Sequence, residues 1–230
     1  MHPKTGPEMQ YQALQRSKMS VKDLKNLVKT GEGTFLEFKR VVSSPGKIAR
    51  EISALANTNG GTLLIGVDDD KSLVGLSSYH EQLYLLEESV ALCEPGIQYM
   101  AEVLPYNYRD FLIVTIKQSN KKPVFVNHDD RRTVYIRVKD RSVRASREAV
   151  MIMRHQSSGK GATFEFGPYE QKLLRYLNEY ERITVTDFSH LVNIRRNRAS
   201  DILVNLVNAG ILIFSQNGAQ DYFSLARDVS

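Results

Sequence analysis

The sequence is poor in the features that mark secreted and membrane proteins. It contains one cysteine, Cys93, which cannot form an internal disulfide and which we expect to be a small buried side chain. No run of about 18 apolar residues occurs, so we expect no transmembrane helix. The N-terminal residues lack the apolar core of a signal peptide. These absences predict a cytoplasmic protein that does not associate with membranes.

Residue patterns for two common kinds of catalytic site are also missing. The five histidines are scattered and the single cysteine has no partner, so the sequence does not suggest a zinc site. No G-x-S-x-G nucleophile motif is present. What remains is a chain of 230 residues, 42% hydrophobic and 25% charged, which are ordinary values for globular domains.

Positive charge is concentrated in one part of the chain. The net charge is +5, and residues 121–147 hold nine Lys or Arg against three Asp, whereas residues 166–230 hold seven of each sign. A basic band of this kind favours phosphate contacts with nucleic acid, although an ordinary solvated hairpin explains it equally well. The band comprises Lys121, Lys122, Arg131, Arg132, Arg137, Lys139, Arg141, Arg144 and Arg147.

Hydrophobic periodicity divides the chain into two folded parts. Residues 1–19 read as a polar tail, and residues 20–155 mix helix and strand patterns. They include "TLLIGVD", a continuous apolar run that predicts a strand buried on both faces. A Gly/Ser-rich linker is predicted over residues 156–165. Residues 166–230 predict three helices and a hairpin at "QNGAQ", which is the order of a winged helix. A small helical domain that mediates dimerisation is the alternative.

Three arginines open the third of these C-terminal helices. A recognition helix presents its N-terminal side chains to the major groove, so Arg195, Arg196 and Arg198 are candidate DNA contacts. Outside a winged helix, the same three residues would form a solvated face.

The stretch "EGTFLEFKR" carries the first candidate for chemistry. In a strand, Glu37 and Lys39 project to one face while Leu36 and Phe38 enter the core. The carboxylate can hold Mg²⁺ or Mn²⁺, and the ammonium can neutralise a phosphate. At least one further carboxylate is needed to complete the ligands of the metal ion. Glu32 precedes the strand, and Asp68 ends the apolar strand. The alternative is a simple salt bridge between Glu37 and Lys39.

The second candidate is a site for a nucleotide such as ATP. Ser44, Lys47 and the free amides of the helix that begins at Pro45 could bind an anion. The residues at the end of that helix, among them Asn57, Gly60 and Gly61, would let a ligand approach the backbone. The spacing is not that of a P-loop, and a helix-to-strand turn explains these residues as well.

The ordered set "GEGTFLEFKR", "KIAREISALANTNGGTLLIGVDDDKSLVGL", "KKPVFV" and "VYIRV" closely resembles the Schlafen/AlbA-like domain family over roughly residues 20–155. The resemblance implies nucleic-acid binding and a link to ATP binding. Bacterial members with a winged-helix tail are described as transcriptional regulators. Vertebrate Schlafens include metal-dependent RNA endonucleases, whose three acids match Glu32, Glu37 and Asp68 here, with Lys39 beside them.

Together these observations predict an α+β protein, with a mixed-sheet Schlafen/AlbA-like domain followed by a small winged-helix domain. We expect a DNA-binding transcriptional regulator that binds duplex DNA or structured RNA as a homodimer. One alternative is a Mg²⁺- or Mn²⁺-dependent RNA endonuclease with Glu32, Glu37, Lys39 and Asp68 as catalytic residues. The other is an ATP-binding sensor module that uses the helix start at Ser44 and Lys47.

Overall fold

The computed structural model describes residues 14–159, 166–218 and 220–226. The chain divides into two compact units between Arg144 and Ala145. Most of the predicted N-terminal tail, residues 1–13, and most of the predicted linker, residues 160–165, lie outside the described residues. Among the described residues, no helix has the length and apolar character needed to cross a membrane.

Helices and strands are mixed along the first unit. Its helices are α1 (Val21–Thr30), α2 (Pro45–Asn57) and α3 (Tyr79–Ala91). Its strands are β1 (Gln15–Arg16), β2 (Leu36–Lys39), β3 (Gly61–Ile65), β4 (Cys93–Glu94), β5 (Tyr99–Tyr106), β6 (Arg109–Ile116), β7 (Phe125–His128), β8 (Arg131–Val138) and β9 (Arg141–Arg144). The mixture of helices and strands predicted for residues 20–155 is confirmed, and so are the strand that carries Glu37, the helix that begins at Pro45 and the apolar strand. The short strands β1, β4 and β9 were not predicted.

The helix starts follow capping rules to different degrees. At α1, the Ser20 hydroxyl accepts a hydrogen bond from the Asp23 amide, and the Asp23 carboxylate accepts one from the Ser20 amide. At α2, Pro45 occupies the first turn, but Ser44 at the N-cap makes no side-chain hydrogen bond to it. The first turn of α2 therefore lacks the side-chain acceptor that normally caps a helix start.

Two sheets organise the first unit. The first has the strand order β1-β5-β6-β3-β2; β2 and β3 are parallel, as are β1 and β5, and the other pairs are antiparallel. The second has the order β4-β7-β8-β9 and is antiparallel throughout. The mixed first sheet, with helices packed on it, confirms the predicted α+β class.

Helix α2 lies between the two sheets. Side chains of α1 pack on one face of the first sheet, where Phe38 is buried. On the opposite face, Ile48 and Ile52 of α2 pack against the sheet in the larger core. The apolar strand β3 is therefore covered on both faces, as its sequence predicted, and Leu63, Leu64 and Ile65 are fully buried. Helix α2 also contacts β7, β8 and β9 of the second sheet.

The second unit contains the predicted three helices and hairpin, together with one helix that precedes them. Its elements are α4 (Arg147–Ser158), α5 (Pro168–Glu179), α6 (Val185–Leu191), α7 (Arg196–Asn208), β10 (Leu212–Asn217) and β11 (Gln220–Leu225). Leu173, Phe188, Leu203 and Phe223 meet in its core. An isolated bridge between Ile183 and Phe223 joins the segment before α6 to β11.

The structure groups α4 with the second unit, whereas the sequence pattern placed it at the end of the first domain. Helix α4 packs against α7, where the Ser200 hydroxyl donates a 2.6 Å hydrogen bond to the buried Glu148 carboxylate. Arg147 pairs with Asp201 at 3.4 Å. These partners lie about 50 residues further along the chain, so local periodicity contained no sign of them.

Candidate functional site

The strand that carries Glu37 contributes to a buried ion network. The Glu37 carboxylate pairs with the Lys39 ammonium and with the Arg137 guanidinium of β8, the latter at 2.7 Å. Arg137 also pairs with Glu51 of α2 at 3.2 Å. Glu37 and Glu51 are each 5% exposed, and the Arg137 side chain is fully buried. The network therefore ties β2, α2 and β8 together between the two sheets.

The remaining hydrogen-bonding groups of Arg137 are also satisfied. Its guanidinium donates to the carbonyl oxygens of Gly33 at 2.9 Å and Leu36 at 3.3 Å, and to the Ser142 hydroxyl at 3.2 Å. Arg50 pairs at 3.0 Å with Oε1 of Glu51, whereas Arg137 pairs with Oε2. Burial raises the pKa of the Glu37 carboxyl above its ordinary value, and Lys39 and Arg137 oppose that shift.

The predicted salt bridge between Glu37 and Lys39 is thus present, but it is not a surface pair. Periodicity alone placed both side chains on one face of a strand, and it could not show that α2 and β8 cover that face. Glu51 carried a signal that sequence reasoning missed: it lies three residues after Ile48 and four before Leu55, on the apolar face of α2. An acid at that spacing indicates a buried partner.

The three acids proposed for a metal are held by other groups. The Glu32 carboxylate accepts a hydrogen bond from the Phe38 amide at 2.9 Å. Asp68 pairs with Arg40 at 3.3 Å and accepts from the Asp69 amide at 3.0 Å. Glu37 lies beside Leu63 in the β2–β3 register, five residues before Asp68 in the chain. Each of the three acids is therefore bonded to protein groups: Glu32 to the Phe38 amide, Glu37 to Lys39 and Arg137, and Asp68 to Arg40.

These residues do not fit a divalent cation in this arrangement. Within the described ranges, no set of three or more His, Cys, Asp or Glu side chains is placed to hold a metal ion. The positions around the Glu37 carboxylate are taken by the positive charges of Lys39 and Arg137. A metal ion there would be a third cation beside two cationic groups at contact distance, which Coulomb repulsion opposes.

The residues proposed for nucleotide binding lie at opposite ends of α2. Ser44 and Lys47 are at its start and Asn57 at its end, about 18 Å apart for 12 residues of helix. The Asn57 side chain is committed to structure, because its amide donates to the carbonyl oxygens of Val124 and Tyr135, and its oxygen accepts from the Val124 amide.

Gly60 is likewise explained by packing. Its φ is +74°, and a Cβ there would lie 2.7 Å from the Ile116 carbonyl oxygen. At Gly61, a Cβ would overlap the Phe35 carbonyl. Asn57, Gly60 and Gly61 therefore each have a structural role at the end of α2 and the start of β3, as the helix-to-strand alternative expected.

The basic band of the first unit separates into groups. Arg131 and Arg132 lie at one end of β8, while Lys139 and Arg141 lie at its other end, about 23 Å away along the strand. These four side chains are exposed, as is Lys121. Arg137 belongs to the buried network and cannot reach nucleic acid, which corrects that part of the prediction.

Lys122 is also turned toward the protein. Its ammonium donates to the Thr58 carbonyl oxygen at 2.7 Å, and burial lowers its pKa. The other predicted side chains of the band remain exposed, in separate groups. Arg137 and Lys122 are not among them, because Arg137 pairs with Glu51 of α2 and Lys122 donates to Thr58 at the end of that helix.

A cavity of about 700 Å³ lies in the first unit where the start of α2 meets the β7–β8 hairpin. Arg131, Arg132, Arg144 and His128 line it, together with Tyr135. A Cβ at Gly46 would overlap the His128 imidazole, so the helix backbone approaches the hairpin closely there. Sequence reasoning identified the arginines and the helix start separately and did not predict that they share one cavity.

In the second unit, the first turn of α7 faces solvent. Residues 195–198 are all exposed, and they include the predicted Arg195, Arg196 and Arg198. Arg196 donates to the Thr186 hydroxyl at 2.7 Å, and Arg198 lies 5.5 Å from the centre of the Tyr169 ring. The single cysteine, Cys93, is buried as expected, and burial raises its pKa to about 12.

The first unit is thus an α+β domain with a mixed sheet, a helix enclosed between two sheets and a buried arginine–carboxylate network. A family model described as Schlafen, AlbA_2 matches residues 32–146, which is half of the chain. The protein belongs to this Schlafen AlbA_2 family. Membership supports a role in nucleic-acid binding.

Two solved structures resemble the chain at low identity. The N-terminal domain of a RecG-related protein from Nitrosomonas europaea is 20% identical, with a TM-score of 0.40 over 49% of this chain and 86% of that one. The DIP2311 protein from Corynebacterium diphtheriae is 16% identical, with a TM-score of 0.43 over 64% of this chain and 34% of that one. No curated relative shows a significant match.

Proposed function

We propose that the protein is a DNA-binding transcriptional regulator, in which the second unit is a winged helix that places α7 in the major groove of duplex DNA. The observation that carries this proposal is the exposed first turn of α7, where three of the four residues 195–198 are arginines. In helix-turn-helix proteins, the N-terminal residues of the recognition helix contact base edges and phosphates.

The arginines at this turn are oriented before any ligand arrives. Arg196 is held by the hydroxyl of Thr186 in α6, and Arg198 rests near the Tyr169 ring of α5. Ordered side chains lose less conformational entropy on binding than free ones do. Two of the three arginines are therefore arranged as a binding surface would require.

Helix α4 adds a fourth arginine beside the same turn. Arg147 donates to the Asn197 side-chain oxygen at 2.9 Å and pairs with Asp201 at 3.4 Å. The second part of the chain has no net charge from residue 166 onward, so local clustering must supply attraction to phosphate. Arg147, Arg195, Arg196 and Arg198 supply that cluster.

A homodimer is the finer part of this proposal. Two-fold symmetric regulators place two recognition helices in successive major grooves, about 34 Å apart. Sedimentation of the DNA complex would give two protein chains per duplex if the regulator binds in this way. One chain per duplex would contradict the homodimer and leave DNA binding by α7 intact.

Removing the α7 arginines tests DNA binding. We expect Arg196→Ala and Arg198→Ala each to weaken binding to a fluorescent random-sequence duplex, and each to reduce the salt slope by about one unit where a phosphate contact is lost. Fluorescence anisotropy between low and high salt measures both quantities. A structured RNA of equal length, run in parallel, shows which nucleic acid is preferred.

Arg175→Ala is the matched control, because Arg175 is an exposed arginine on α5 in the same unit. It should change neither affinity nor slope beyond its small effect on total charge. If Arg196→Ala and Arg198→Ala behave like Arg175→Ala, α7 does not contact the nucleic acid.

A further inference from the structure

The solvent face of α1 carries a row of positive charge. Lys22, Lys25 and Lys29 are exposed and lie at positions i, i+3 and i+7, which places them on one face of the helix; they are called the basic stripe. The Lys25 ammonium lies 5.2 Å from the centre of the Tyr106 ring. Like charges three and four residues apart on a helix repel each other, so this face favours an anionic partner.

Helix α3 carries the opposite charge. It contains three glutamates and neither lysine nor arginine. Glu81 and Glu88 are exposed and seven residues apart, and they are called the acidic stripe. Tyr84 lies between them on the same face and is 61% exposed, and its hydroxyl donates a 3.0 Å hydrogen bond to Glu88. The face of α3 therefore joins negative charge to an exposed aromatic ring.

The two helices lie on opposite faces of the first sheet. Leu24 of α1 packs with Phe38 on one face, whereas Leu86 of α3 packs with Leu63 on the other. The sheet therefore prevents the two stripes from pairing within one chain. Among the described residues, none of the five charged side chains in the two stripes forms a salt bridge.

We infer that the basic stripe of one copy binds the acidic stripe of a second copy, so that first units associate head to tail. Each stripe spans seven residues, about 10.5 Å of helix, so the end lysines of one stripe match the two glutamates of the other. Lys25 and Tyr84 occupy the same relative position in the two stripes, which allows a cation–π contact between them.

This contact is heterologous, because the two surfaces lie on opposite faces of the unit. Each added copy leaves one stripe of either kind unoccupied, so the association is open-ended rather than two-fold. It involves first units only. The inference is therefore independent of DNA binding by the second unit and of the two-fold pairing proposed on DNA.

Sedimentation velocity of the full chain, treated with nuclease and free of DNA, tests the inference. The sedimentation coefficient should rise with protein concentration at about 50 mM salt and return to the monomer value at about 0.5 M, because salt screens exposed charges. A monomer at about 0.1 mM protein in low salt would overturn the inference. So would association that disappears after nuclease treatment, since nucleic acid would then bridge the chains.

Neutralising the basic stripe tests which charges are used. The triple variant Lys22→Gln, Lys25→Gln, Lys29→Gln should have an association constant about tenfold or more lower than the parent, because three exposed charged contacts are lost.

The matched control removes three exposed cations from the second sheet and its turn, with the same change in net charge: Arg131→Gln, Lys139→Gln and Arg141→Gln. The control should associate like the parent. Equal weakening by the two triple variants would overturn the inference, because total charge rather than the basic stripe would then govern association.

Mixing two variants tests the head-to-tail geometry. Glu81→Gln, Glu88→Gln should also associate weakly alone. When it is mixed with the basic-stripe variant, one native pair of surfaces remains, namely α1 of the first protein and α3 of the second. A 1:1 complex that does not grow is expected, and its formation also shows that both variants are folded. A mixture that stays monomeric, or that grows beyond two chains, would overturn the inference.

Discussion

At the scale of single residues, the ion network around Arg137 is the most constrained feature of the first unit. One buried guanidinium contacts two buried carboxylates, Glu37 and Glu51, and two backbone carbonyl oxygens. Burying charged groups is costly unless each has a partner, so every member depends on the others. The family resemblance directs attention to Glu37 as a metal ligand, but here Arg137 and Lys39 supply the positive charge.

Replacing Arg137 by methionine should destabilise the protein by about 3–5 kcal/mol, because Glu37 and Glu51 would lose their shared partner while they remain buried. Urea unfolding followed by circular dichroism measures the loss. Arg141→Ala removes an exposed arginine from the same sheet and should change stability by less than about 0.5 kcal/mol.

Neutralising the acids provides a sharper check on the same network. In a protein that already carries Glu37→Gln and Glu51→Gln, Arg137→Met should lower the free energy of unfolding by clearly less than it does in the parent. The reason is that no carboxylate would then be left buried without a partner. Equal losses in the two backgrounds would show that Arg137 contributes through packing alone.

At the scale of elements, α2 is the helix on which the first unit is assembled. Its apolar face packs on the first sheet, and its end is tied to the second sheet by Asn57. Its start meets the β7–β8 hairpin at Gly46. The two ends of α2 therefore have different roles: its C-terminal end holds the sheets together, and its N-terminal end faces the cavity.

Asn57→Ala should lower the free energy of unfolding by about 2–4 kcal/mol, since it removes three hydrogen bonds and leaves the buried Val124 amide without its partner. Urea unfolding followed by circular dichroism measures the loss. An unchanged free energy of unfolding would show that the Asn57 side chain does not hold α2 to the second sheet.

At the scale of the whole molecule, the chain is two units with a division between Arg144 and Ala145. The family match ends at residue 146, almost at the same place. Helix α4 follows the division and packs on α7 through Glu148 and Arg147. It therefore supports the helix on which the proposed DNA contact depends.

A fragment of residues 145–230 should fold with a single cooperative transition, and it should be about 2–4 kcal/mol more stable than a fragment of residues 160–230. The shorter fragment lacks α4, so the face of α7 that α4 covers becomes exposed and the Glu148–Ser200 hydrogen bond is lost. Thermal and urea melts of the two fragments measure the difference. Equal stability would show that α4 is not part of the second unit's fold.

The sequence by itself determined the α+β class, the succession of three helices and a hairpin in the second unit, the burial of β3 and Cys93, and the strand face shared by Glu37 and Lys39. Each follows from periodicity, capping residues or composition, which act over a few neighbouring residues. The exposed arginines of α7 were predictable for the same reason, because they lie within one helical turn.

Only the tertiary structure decided what those side chains meet. Arg137 lies 100 residues after Glu37 in the chain, and the β8 strand that carries it pairs with neither β2 nor β3. The cavity likewise joins Gly46 to Arg131 and Arg144 through the packing of α2 on the second sheet. Local patterns specify which face a side chain takes, but long-range packing sets its partner, and the partner decides whether a charge is buried in an ion pair or available to a ligand.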